Sequence, residues 1–188
     1  MAADTIPARL WHNAATMPDR PAFREKIGGA YRSASWAEYA GLVRRAGKAL
    51  ISLGLEPGGS VAILGFNRPE WVVTYLGAMA VGGTPAGIYT TAPVDEAAFV
   101  IGHAPASVVL VEGAAELGTV LARRVALPGL RWVVTMRGAP PSAEPGVLTW
   151  EEFLARGDEV PDEEVERRMA GLAGSDPATL IYTSGTTG

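Results

Sequence analysis

Residues 61–89 run VAILGFNRPEWVVTYLGAMAVGGTPAGIY, and this stretch decides the fold. Residues 61–66 are apolar apart from one glycine, so a strand there needs cover on both faces. That condition is met in a parallel sheet sandwiched by helices. Asn67, Arg68, Pro69 and Glu70 then have the composition of a helix start, with Asn67 as cap, a proline in the first turn and an acid at the third position. Trp71, Val72, Tyr75, Leu76 and Met79 continue at helical spacing, and Gly82-Gly83 ends the helix. Residues 84–89 predict a second short strand, which completes a β–α–β unit.

The same grammar extends in both directions. Upstream, Ser35 and Glu38 make a capping box, in which each side chain serves the backbone N–H at the other's position. Trp36, Tyr39, Val43, Ala46, Leu50 and Leu53 follow at nearly every 3.6 residues, and Gly54 is placed for a left-handed stop. Downstream, Thr91 and Pro93 predict the start of a helix through Phe99 and Ile101. Residues 107–112 predict a buried strand, 114–126 a helix and 131–136 another strand, with a proline-rich surface loop over 137–146. Thr149 and Glu152 form a second capping box, opening a helix that ends near Gly157. The acidic run over 158–166 reads as a solvated linker or an exposed helix face. Residues 178–182, ATLIY, predict a strand that feeds Thr183, Ser184, Gly185, Thr186, Thr187 and Gly188.

Short apolar strands alternating with helices predict an α/β fold, a doubly wound, mainly parallel sheet flanked by helices. Residues 1–55 form an N-terminal segment whose amphipathic helix packs on the main unit. Residues 56–188 form the α/β unit itself, incomplete at its C-terminus. A sheet without its later strands exposes apolar surface, which predicts self-association of the isolated chain.

Composition excludes several functions. With 48% hydrophobic and 19% charged residues among 188, the chain is globular rather than disordered. A net charge of −4 gives no basic surface for nucleic acid. There is no cysteine, hence no disulfide, thiolate metal site or cysteine nucleophile. His12 and His103 lie far apart in sequence and suit surface or helix-end positions rather than a metal site. The five tryptophans read as packing residues. No apolar run is long enough for a membrane-spanning helix, and the N-terminus lacks the pattern of a secretory signal.

The segment 183–188 carries the chemistry. Gly185 and Gly188 permit positive φ and close approach of a ligand to the backbone. Converging N–H groups and the hydroxyls of Thr183, Ser184, Thr186 and Thr187 suit the oxygens of a polyphosphate. The glycine spacing is not that of a Walker A loop, and no GxGxxG is present. Composition alone leaves two readings open, a phosphate-binding turn and an ordinary Thr/Gly turn.

The longer string LIYTSGTTG closely resembles the phosphate-loop signature of the adenylate-forming (AMP-binding) enzymes. SWAEYAGLVRRAGKALISLGL and GGSVAILGFNRPEWVVTYLGAMAVGGTPAGIYTT resemble the helix and the strand–helix–strand block that precede it in that family. The form GFNRPEW…GIYTT looks most like the long-chain fatty acid acyl-CoA synthetases. The resemblance implies the first part of the large N-terminal domain of the acyl-CoA synthetase fold. It implies a ligase that uses ATP and Mg²⁺ to activate a fatty acid as its adenylate, then transfers the acyl group to coenzyme A. Within it, Thr183 to Gly188 would embrace the β- and γ-phosphates, and the Thr183 hydroxyl would also contact Mg²⁺. The family's next lysine, its adenine and ribose contacts and its C-terminal catalytic lysine do not occur in this chain, so no catalytic residue is assigned and the isolated chain is expected to be inactive. Other expectations are a cytoplasmic location compatible with peripheral membrane contact, no nucleic acid partner and an open oligomeric state. The competing readings are a ligase for a short-chain, aryl or carrier-loaded acid, and a non-catalytic nucleotide-binding module.

Overall fold

The structure, a computed structural model, describes residues 4–183. It begins with helix α1 (Ile6–Thr16), capped by the Thr5 hydroxyl, which accepts from the Ala8 N–H. Strands β1 (Pro21–Ile27) and β2 (Ala30–Ser35) then form an antiparallel hairpin absent from the sequence reading. Gly28 and Gly29 turn it, at φ of 57° and 86°. Two consecutive residues of positive φ make the tight turn whose twist matches the flanking strands, so the Gly-Gly pair was the available signal.

Helix α2 (Trp36–Ser52) is capped as expected: the Ser35 Oγ accepts from the Glu38 N–H and the Glu38 carboxylate accepts from the Ser35 N–H. Val43, Ala46 and Leu50 are fully buried, as the spacing requires, and Gly54 takes the left-handed stop at φ 81°. Replacing Ser35 by alanine removes the acceptor for one helix N–H, with an expected cost of about 1 kcal/mol. Urea unfolding of the variant against wild type measures it, and an unshifted midpoint would show that Glu38 alone holds this end.

Strand β3 (Ser60–Leu64) is buried at every position. It pairs in parallel with β4 (Thr84–Ile88) on one side and β5 (Ala106–Val111) on the other. Strand β6 (Trp132–Thr135) and β7 (Val147–Thr149) extend the sheet beyond β5, and β8 (Leu180–Ile181) extends it beyond β4. The resulting order is β7-β6-β5-β3-β4-β8, with every pairing parallel.

Helix α3 (Pro69–Ala80) joins β3 to β4, and α4 (Val94–His103) joins β4 to β5. These two crossovers move in opposite directions along the sheet, so right-handed connection places their helices on opposite faces. One core gathers Val43 and Leu50 of α2, Val73 of α3 and Val61 and Ile63 of β3. To it belong also Phe153 of α6 (Trp150–Ala155) and Val165 of α7 (Asp162–Ala170). The other core gathers Val100 and Ile101 of α4, Val120 of α5 (Ala114–Leu121), and Ala62, Leu64 and Val109 of the sheet. This is the doubly wound arrangement. The acidic run proves to be half helix: Asp162 receives a hydrogen bond from Lys48 of α2, which holds its carboxyl below the ordinary carboxylate range.

Two helix starts differ from expectation. Asn67 does not cap α3; Arg68 occupies that position without a side-chain bond, because Pro69 supplies the first helical residue. Likewise α4 begins after Pro93, and Thr91 lies outside it. A proline at or just before the first helical position has no N–H to be capped, which lessens the need for a side-chain acceptor. The helix expected over 114–126 stops at Leu121 and resumes as a short 3₁₀ turn, Arg124–Ala126. Among the described residues no helix is long and apolar enough to cross a membrane.

Candidate functional site

Because all six strands are parallel, their C-terminal ends share one edge of the sheet, the edge at which open α/β sheets bind ligands. Phe66, Tyr89, Glu112, Arg137 and Thr183 follow β3, β4, β5, β6 and β8 respectively. Phe66 and Tyr89 are exposed there. Thr183 is exposed as well, two residues beyond the end of β8. Ser184, Gly185, Thr186, Thr187 and Gly188 lie outside the described residues.

The strand that leads to Thr183 is short. Leu180 pairs with Ala86 and Ile181 with Gly87, and the ladder ends. Side chains hold it at both ends. The Thr179 hydroxyl donates to the Pro85 carbonyl at 3.0 Å. At the other end the Tyr182 hydroxyl and His103 Nδ1 share a hydrogen bond of 2.8 Å. Tyr182 is partly buried, which pushes its phenol above the ordinary range. The sequence placed His103 at a helix end, as found, but not its link to Tyr182; only its spacing of four from Phe99 on one helix face hinted at a joint role.

The crevice between β3 and β5, where the crossovers diverge, is filled rather than open. The Glu112 carboxylate accepts the Phe66 N–H at 2.6 Å, and a Cβ on Gly65 would lie 2.9 Å from the Glu112 Cβ. Beside it, Glu70 is a buried carboxylate with 2% exposure. It is ion-paired with Arg137 Nε at 2.9 Å and Arg68 Nε at 3.5 Å, neither aligned as a hydrogen bond. Arg137 also reaches Glu25 on β1, and its carbonyl accepts from Arg68. Arg68 and Glu70 thus knit the hairpin, α3 and the exit of β6 together, which accounts for them structurally.

A cleft of about 630 Å³ lies at the opposite edge of the sheet, lined by Pro57, Gly83, Thr84, Arg168 and Asp176 among others. Its polar side chains serve the chain itself. Thr84 donates to the Pro177 carbonyl, Arg168 to the Leu55 carbonyl and to Glu164, and Asp176 accepts from the Ala173 N–H. Among the described residues no three His, Asp or Glu side chains gather as metal ligands. Thr183 therefore fits a cation only as one oxygen among others.

Comparison with known proteins decides the family. A model described as AMP-binding enzyme matches residues 10–188. The chain belongs to the AMP-binding enzyme family. Long-chain-fatty-acid–CoA ligase ACSBG1 of Bos taurus is 38% identical over 170 residues, 90% of this chain and 23% of the relative. Long-chain-fatty-acid–CoA ligase ACSBG2 of Homo sapiens is 34% identical over 185 residues, 98% of this chain and 28% of the relative. The chain thus spans about a quarter of the length of such relatives. Among solved structures, the N-terminal domain of FACL13 from Mycobacterium tuberculosis superposes with a TM-score of 0.73 at 23% identity, over 100% of this chain and 42% of that one. Coronafacic acid ligase from Pectobacterium brasiliense gives 0.77 at 15%, over 94% and 33%. These two likenesses establish the fold: this AMP-binding chain has the architecture of an acyl-CoA synthetase N-terminal domain.

Proposed function

We propose that the chain is the N-terminal part of an ATP-dependent ligase that activates a long-chain fatty acid as its acyl-adenylate and transfers the acyl group to coenzyme A. The observation that carries this reading is the identity of 34–38% to two relatives that bear the name long-chain-fatty-acid–CoA ligase. In the complete enzyme a carboxylate oxygen attacks the α-phosphorus of ATP, and the bond to pyrophosphate breaks. The coenzyme A thiol then attacks the acyl carbonyl and AMP leaves. Such chemistry is served by orientation and by charge stabilisation on the departing phosphates.

In this reading the chain contributes the phosphate grip. Thr183 follows β8 at the ligand-binding edge, and the hydroxyls and N–H groups of residues 183–188 would hold the β- and γ-phosphates. Mg²⁺ would neutralise phosphate charge there, with the Thr183 hydroxyl as one oxygen beside it. Residues 1–55 pack on the α/β unit 56–188, an arrangement supported by the shared core of Val43, Leu50, Val61 and Ile63. The enzyme works in the cytoplasm, on a substrate drawn from water or from a membrane surface.

The test is pyrophosphate release by the complete protein with ATP, Mg²⁺ and a long-chain fatty acid. Thr183→Ala should lower kcat/KM for ATP about ten-fold, the loss of one hydrogen bond to a charged group. Its exposed position predicts an unchanged melting temperature. An unchanged kcat/KM for ATP in the variant would reject the role of Thr183. Faster turnover with an aryl or short-chain acid would move the substrate to another class.

A further inference from the structure

We propose that Phe99 and His103, acting on Tyr182, are positioning residues for the phosphate-binding loop, a role that rests on the reading of residues 183–188 just given. β8 pairs with β4 at two positions only, and Ile181 is 77% exposed. A strand so short frays unless something beyond the ladder holds it. Thr179 fixes its start through the Pro85 carbonyl, and Tyr182 fixes its end.

The hold on Tyr182 is built from one helix face. Phe99 and His103 stand one turn apart on α4, with rings 5.4 Å apart and nearly parallel at 25°. The Tyr182 ring meets both edge-on, at 6.4 Å and 88° from Phe99 and at 5.7 Å and 89° from His103. Edge-to-face contact fixes the plane of the phenol. The hydrogen bond to His103 Nδ1 fixes its reach. With ring and hydroxyl held, the backbone leaving Tyr182 has one direction, and Thr183 is the next residue. Misplacement by a fraction of an ångström would weaken every contact of the loop with phosphate at once. Interactions lost equally from bound substrate and transition state raise KM and leave kcat alone.

The cluster lies at the surface, with Phe99 60% exposed, so its loss costs the fold little. The experiment compares wild type, His103→Ala, His103→Asn and Tyr182→Phe in the complete enzyme, measuring KM for ATP, KM for fatty acid, kcat and Tm. His103→Ala and Tyr182→Phe should each raise the KM for ATP about five-fold, the worth of one hydrogen bond. Fatty acid KM, kcat and Tm should stay near wild type. Asparagine carries an amide atom close to the place of Nδ1, so His103→Asn should recover most of the ATP affinity. An unchanged ATP KM in an active background overturns the inference while the ligase reading stands. A KM rise that asparagine does not rescue, or one equal for both substrates, also overturns it. Wild-type protein that releases no pyrophosphate with any carboxylic acid sinks the ligase reading itself, and the inference with it, before any variant is compared.

Discussion

Replacing Phe153 by alanine is expected to destabilise the chain by about 3–5 kcal/mol, the range for deleting a fully buried aromatic ring. Phe153 is 0% exposed and lies against Trp150, with ring centroids 5.5 Å apart. It stands on α6, whose packing against α2 closes the first core. The lost ring leaves a void between α6, α2 and the sheet that the surrounding side chains fill only in part. Domains of this size have roughly 5–15 kcal/mol in total, so the variant should unfold at a much lower urea concentration with an unchanged slope. Val125→Ala is the control, because that side chain is wholly exposed and its loss should leave the midpoint where it was. Equal midpoints for the two variants would mean that the first core is far softer than its burial suggests.

Removal of Arg137 should be nearly as damaging, at about 3 kcal/mol, toward the low end for breaking a buried ion pair because its guanidinium is half-exposed. The loss falls on Glu70, whose buried carboxylate keeps only Arg68, at 3.5 Å. Glu25 on the hairpin loses its partner too. The discriminating variant is the double replacement Glu70→Gln with Arg137→Ala. Making residue 70 neutral removes the uncompensated charge, so the double variant should melt above Arg137→Ala alone. A double variant no more stable than the single one would place the whole cost in the Glu25 contact and lost packing instead.

What was legible in the sequence was what rests on neighbours along the chain. The Ser35–Glu38 and Thr149–Glu152 boxes each close within three residues, so composition identifies them. β3 is legible because a central strand must be apolar on both faces. The first turns of α3 and α4 were misplaced by one or two residues, since proline starts a helix without announcing which residue caps it. β8 was expected over five residues and forms over two, Leu180 and Ile181 beside Ala86 and Gly87, although β4 itself runs from Thr84 to Ile88. The charged knot of Glu25, Arg68, Glu70 and Arg137 could not be read at all. Its members lie as much as 112 residues apart and meet only after the sheet is assembled. Of the candidate site, the place of Thr183 was legible from the strand before it. The Tyr182–His103 bond was not, since the two residues lie 79 apart.

The sheet order has a consequence for how the molecule comes into being. β3 and β4 can pair once the first ninety or so residues have left the ribosome, since one short helix separates them. β8 docks on the outer side of β4, and the Thr179–Pro85 bond spans 94 residues. Until β8 emerges the flank of β4 therefore stands open, a bare row of amides and carbonyls. Closing so large a loop comes late and is entropically costly. Among the described strands, the flank of β4 that leads to Thr183 is thus the last to be paired.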